Sequence, residues 1–130
     1  MHALAHPLGA VFDAHHGMLN AVLMPYVLAA NRRAIEADII RLARYLGLPP
    51  SFEGFMDWIL ALRAELQIPH RLDAVISEVK DGTPMSAIGA MAVRDPSAAS
   101  NPINFSAQDY QRILDAALLG DLSAAAQLAP

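Results

Sequence analysis

The sequence predicts an all-α, bundle-like domain of about six or seven helices with short connections. Three observations carry that prediction. Apolar residues recur at i, i+3, i+4 and i+7 along most of the chain. Glycines and prolines fall where such stripes stop. No run alternates apolar and polar residues between turn signals, so no strand is expected, and no internal repeat is visible. A length of 130 residues suits one domain with a core of its own.

His2 to Phe12 reads as a short helix that kinks or restarts near Pro7, which lacks a donor and crowds the preceding turn. Asp13 to His16 reads as a turn, with Gly17 supplying conformational freedom. Leu19, Val22, Leu23, Tyr26, Val27 and Ala30 then keep helical spacing. Met18, Ala21 and Met24 make this helix apolar nearly all round, the pattern of a buried element. Pro25 is expected to bend it and free the carbonyl of Ala21, and Asn31 to end it or cap the next helix. Ile35, Ile39, Leu42 and Leu46 form the next stripe, with Arg32, Arg33, Glu36, Asp38, Arg41 and Arg44 mostly off it. Gly47, Pro49 and Pro50 enforce a stop. Ser51 caps a helix with the face Phe55, Ile59, Leu62 and Leu66, flanked by Met56 and Trp58. After Pro69, the residues Leu72, Val75, Ile76 and Val79 predict a short helix. Asp81-Gly82 is a turn signal. Thr83-Pro84 begins a helix with proline first, running to about Val93. Asp95 to Pro102 reads as a loop. Ser106 with Asp109 resembles a capping box opening a last helix through Tyr110, Ile113, Leu114, Ala117 and Leu118, which Gly120 ends. Residues 121–130 read as a frayed tail.

Composition narrows the chemistry. There is no cysteine, which removes disulfides and thiolate metal sites and fits a cytoplasmic protein. Nine basic and 13 acidic residues are interspersed, for a net charge of −4, so no nucleic-acid partner is expected. The longest apolar run, Met18 to Ala30, is interrupted by Asn20 and Pro25 and falls short of the roughly 20 residues of a membrane span. No charged segment precedes it, so it is not a signal peptide, and no membrane partner is expected. Mean hydropathy is nonetheless high, +0.31. That excess implies a generous core or a surface awaiting a partner.

Four of the five histidines lie in the first 16 residues. His2 and His6 are spaced to share a helix face. A chain reversal before His16 would return it beside His2. Three converging neutral imidazoles suit zinc, iron, copper or nickel, although such a pair near a terminus can equally be solvated. His70, between Pro69 and Arg71, reads as an exposed loop residue. Trp58 and the six methionines read as core filling. No phosphate-cradling glycine motif, flanking carboxylate pair or local nucleophile signature is present.

The ordered motifs resemble the iron-containing alcohol dehydrogenase family, specifically its helical C-terminal part. His2, His6, Pro7 and Gly9, then His16, Gly17, Asn20, Ala21 and Pro25, fit its histidine segment, and Asn31 fits the end of the helix that follows. Ile68-Pro69, with Gln67 where glycine is common, resembles its Gly-Ile-Pro turn. Asp95-Pro96-Ser97 with Asn101-Pro102 resembles its Asp-Pro to Asn-Pro loop. The resemblance runs from His2 to about Leu118. It implies a metal-binding helical domain over residues 1–120, with His2 and His16 as ligands to iron(II) or zinc. It makes His6 a catalytic non-ligand that contacts or relays the proton of the reacting alcohol. It implies NAD(P) as the hydride carrier and a small alcohol or aldehyde as substrate. His15 stands where the family often has proline and offers a spare imidazole.

The resemblance also defines what these 130 residues do not hold. The N-terminal dinucleotide-binding half is absent from them, as are the family's other two ligands, an aspartate and a histidine. The expectation is therefore a domain that is inactive alone. Its partner would be the missing half or a second copy of itself, and a homo-oligomer is expected. The competing expectation is a stand-alone helical oligomerisation or binding module that kept the fold and lost the catalysis.

Overall fold

The computed structural model describes residues 1–76 and 82–128, and within them the chain is helical throughout, without a strand. Six α-helices follow in order: α1 His2–Phe12, α2 His16–Tyr45, α3 Phe52–Glu65, α4 Ile88–Arg94, α5 Ala107–Leu119 and α6 Leu122–Ala126. Short 3-10 turns at Leu72–Ala74, Met85–Ala87 and Pro96–Ser100 connect them.

The main core is built by α1, the first half of α2, α4, α5 and α6. Helix α1 passes through Pro7 without a break and buries Leu4, Leu8, Val11 and Phe12 on one side. His2 and His6 are left on the open side. The reversal that follows is made by Asp13 in the left-handed region, φ 54°. Aspartate tolerates that region better than most residues. Gly17 lies inside the first turn of α2 instead of making the reversal.

Helix α2 is a single 30-residue helix, so Asn31 neither ends it nor caps another. The Asn31 side chain is buried, 3 % exposed. Its amide donates to the Val27 carbonyl one turn back, 2.9 Å, and to Asn101 across the core. Pro25 also stays inside the helix. Near it, the carbonyl of Val22 accepts from Arg63 Nη2 at 3.3 Å, and the same nitrogen reaches Pro69 O at 2.8 Å. Proline disturbs the helix ladder one turn upstream. The carbonyl Arg63 reaches is that of Val22, not the Ala21 carbonyl expected to be freed.

A second, smaller cluster joins the far half of α2 to α3 through Ile39, Ala43, Phe52, Phe55 and Ile59. Both helices are rotated from the expected stripes. Helix α2 buries Ile39 and Ala43, while Leu42 and Leu46 are exposed. Helix α3 buries Phe52, Phe55, Ile59 and Arg63, and leaves Leu62 and Leu66 in solvent. Ser51 caps α3 as expected, accepting from Gly54 N at 2.9 Å. Gly47 takes φ +71°, the backbone of a helix-ending glycine.

Leu72 is fully buried, but its segment forms only one 3-10 turn, and Val79 and Asp81 lie outside the described residues. Pro84 caps a 3-10 turn that runs into α4, so the proline precedes the helix instead of opening it. Helices α4 and α5 approach closely at Gly89, where a Cβ would stand 2.3 Å from Ala107 O. The capping box at Ser106 and Asp109 is formed, and Gly120 ends α5 at φ +76°. The segment expected to fray holds α6, whose N-cap is Asp121 and whose Ala125 is fully buried against the core. Alanine is the best helix former, and small residues let α6 lie close to α2 and α5. No described helix is long and apolar enough to cross a membrane.

Candidate metal centre

The start of α1 and the start of α2 bring three imidazoles together. Ring centroids are 5.7 Å apart for His2 and His6, 5.2 Å for His2 and His16, and 5.2 Å for His6 and His16. The cause is local. The four-residue spacing on α1 stacks His2 above His6, and the tight reversal at Asp13 returns His16 to the same side. All three side chains are exposed.

The fourth histidine of this segment has a different task. His15 is the N-cap of α2, and its Nδ1 accepts from Met18 N at 3.3 Å. Its free-imidazole role is thereby halved. His70 is exposed as expected, yet it is tied down. Tyr26 Oη donates to its carbonyl at 2.6 Å, and its Nε2 lies 3.1 Å from Gly120 O.

Two polar residues surround the cluster. Asn20, one turn along α2, places Nδ2 2.9 Å from His16 Nε2 and 3.2 Å from His16 O. A metal ion at His16 Nε2 would therefore compete with that amide for the ring lone pair. The Asn20 Oδ1 atom is buried without a hydrogen-bond partner. Asp95, just after α4, places Oδ2 2.7 Å from His6 Nδ1. Its Oδ1 accepts from Ser97 N at 2.8 Å and so caps the Pro96–Ser100 turn. Burial works against the Asp95 charge. The hydrogen bonds from Ser97 and His6 outweigh it and hold the carboxyl below its usual range.

Asp95 and Asn101, in a segment whose composition is that of a loop, carry no local signal that ties them to the histidines. Asn101 forms a reciprocal amide pair with Asn31, with Nδ2 to Oδ1 distances of 2.8 and 3.2 Å. Beside it, a cleft of about 360 Å³ opens next to His2, lined by Val27, Asn31, Ser97, Asn101 and Tyr110.

The donor chemistry fits a divalent iron or zinc, which neutral imidazoles bind well. The donor count does not complete a shell. Among the described residues, no group of three or more His, Cys, Asp or Glu side chains is arranged to hold a metal ion.

The fold and this histidine cluster define an all-helical domain in which three histidines gather at the first turns of two helices. Residues 1–118 match the Fe-containing alcohol dehydrogenase family, C-terminal, and the chain belongs to that family. Maleylacetate reductase 2 of Cupriavidus pinatubonensis is 36% identical over 126 residues, covering 95% of this chain and 33% of the relative. The 1,3-propanediol dehydrogenase of Citrobacter freundii is 33% identical over 110 residues, 78% of this chain and 27% of the relative. The NADPH-dependent butanol dehydrogenase of Clostridium saccharobutylicum is 26% identical over 125 residues, 92% and 32%. The chain thus spans about a third of the length of these curated relatives. No solved structure matches it significantly.

Proposed function

We propose that this chain is the metal-ligating helical portion of an NAD(P)-dependent, iron(II)- or zinc-dependent alcohol dehydrogenase, with His2 and His16 as its ligands. The observation that carries the reading is the 5.2 Å separation of the His2 and His16 rings in a family of oxidoreductases. The relatives named above act on butanol, 1,3-propanediol or maleylacetate by their names, so the substrate class is a small alcohol or its carbonyl counterpart. When bound, the metal supplies Lewis acidity to the alcohol oxygen and NAD(P) accepts the hydride.

The chain's own residues do the rest. His2 and His16 supply half a ligand shell. His6, beside them, takes the proton of the reacting hydroxyl in this reading. The other ligands and the dinucleotide site belong to a partner half, so the chain by itself is inactive. It acts in the cytoplasm, joined to that half or assembled with further copies.

One experiment tests this. Zinc and iron(II) uptake by the pure chain is measured together with its mass in solution and its alcohol-dependent reduction of NAD(P). Metal uptake weakened at least tenfold in His2→Ala and in His16→Ala, with no dehydrogenase turnover, supports the reading. Uptake unchanged in both variants overturns the ligand assignment, and turnover by the pure chain overturns its dependence on a partner half.

The exposed Leu66, 62 % accessible, with Leu62, Leu42 and Leu46, favours a second reading in which the domain is an assembly module. A stable oligomer that binds no metal would favour this second reading over the first.

A further inference from the structure

We propose that Asp95 is a positioning residue for His6, holding its imidazole as the Nδ1–H tautomer and leaving Nε2 as the free lone pair. The inference builds on the role of His6 proposed above and assigns a function to a residue 89 positions away in the chain.

The geometry favours the carboxylate as the fixed partner and the ring as the held one. The Asp95 side chain is 11% exposed, against 45% for His6. Its two oxygens have separate duties. Oδ1 accepts the Ser97 N–H of the 3-10 turn at 2.8 Å, and Oδ2 faces His6 Nδ1 at 2.7 Å. An ionised carboxylate only accepts hydrogen bonds, so the proton of this contact sits on Nδ1. A neutral imidazole carries one N–H, which leaves Nε2 unprotonated.

That ring lies against His16 with planes 15° apart, and centroids 5.7 Å from His2. The lone pair His6 then offers belongs to a ring whose centroid is 5.2 Å from that of His16 and 5.7 Å from that of His2. A carboxylate behind an imidazole fixes its tautomer and ring orientation. An unheld imidazole in water favours the opposite tautomer, with Nε2 protonated and unable to accept. Without Asp95 the exposed His6 ring would turn freely and present the wrong nitrogen for much of the time.

The test reads the ring nitrogens directly. The full 130-residue chain is labelled with ¹⁵N-histidine, and long-range ¹H–¹⁵N correlation spectra are recorded without metal, about two pH units above the ordinary histidine pKa of roughly 6.5. His6 is expected to show a protonated Nδ1 and an unprotonated Nε2. Asp95→Ser keeps a side chain able to cap the turn but is too short to reach His6. In that variant the Nδ1–H share should fall several-fold, and the Nε2–H form should dominate. Asp95→Asn keeps both the cap and an acceptor and should retain the Nδ1–H form. A His6 that is Nε2-protonated in the native chain, or one whose tautomer is the same in Asp95→Ser, overturns the proposal. Because no metal is present, failure of His2 and His16 to bind iron or zinc leaves this outcome untouched, and the two readings fail separately.

Discussion

The amide pair between Asn31 and Asn101 gives the sharpest test of how this fold is held. Asn31 sits at the middle of α2, buried, and Asn101 at the end of the 3-10 turn that follows Asp95. They exchange two N–H···O bonds, at 2.8 and 3.2 Å. Each member also has a private partner: Asn31 donates to Val27 O, and Asn101 to Ile103 O at 2.7 Å. A buried neutral hydrogen bond contributes roughly 1 kcal/mol net, and stranding a buried partner adds about 1–3 kcal/mol. Asn31→Ala removes the shared pair and one private bond, so it should cost about 2–4 kcal/mol. Asn101→Ala removes the same pair and a bond to a half-buried loop, for about 2–3 kcal/mol. The double variant loses the shared pair only once, so it should cost about 1–2 kcal/mol less than the sum. Urea unfolding followed by far-ultraviolet circular dichroism measures all three, with unchanged slopes as the check that only stability moved. Costs that add to within about 0.5 kcal/mol would show that the two amides do not support each other.

Two further outcomes concern helix contacts and caps. Gly89→Ala places a methyl 2.3 Å from Ala107 O and 3.1 Å from Gln111 N, both backbone atoms, so α4 and α5 must separate. A loss of at least about 1–3 kcal/mol is expected in thermal unfolding, and a neutral result would mean the helices are not in close contact there. Ser106, through its hydroxyl and its backbone N–H, holds the Asp109 carboxyl below its ordinary 3.8. A carboxyl depressed on folding adds stability that is present above the unfolded value and lost as pH falls through the folded one. Ser106→Ala should therefore cost about 1 kcal/mol at neutral pH and progressively less below about pH 4. An equal cost at pH 7 and pH 2 would separate the cap from the carboxylate's charge.

The part of the candidate site written by local rules was legible in the sequence. His2 and His6 share a face because of helix geometry, and a reversal before His16 was readable from the turn residues around it. Tertiary contacts were not readable. Asp95 reaches His6 across 89 positions, and no local spacing marks that pairing. Asn31 follows a long apolar run and has the chemistry of a cap, yet α2 continues because the amide is used sideways, toward Asn101. Helix α3 shows the same limit in its packing. Both of its faces carry large apolar residues, so the apolar pattern alone fits two rotations. The one adopted buries Arg63, whose guanidinium reaches Val22 O beside Pro25. The donor to Val22 O thus comes from a different helix, and no spacing along α2 marks it.

Arg63 and the histidines are held in opposite ways. Its Nε and Nη1 are buried without partners, and among the described residues no carboxylate pairs with it. Burial pushes its guanidinium below the ordinary arginine value. That cation is held in the packing, and among the described residues its hydrogen-bond partners are backbone carbonyls. The histidines are the reverse case. They are exposed, assembled at the first turns of two helices, and backed by Asp95 and Asn20. The fold restrains these rings through Asp95 and Asn20 while leaving the side chains exposed, and a metal ion at His16 Nε2 would have to displace the Asn20 amide.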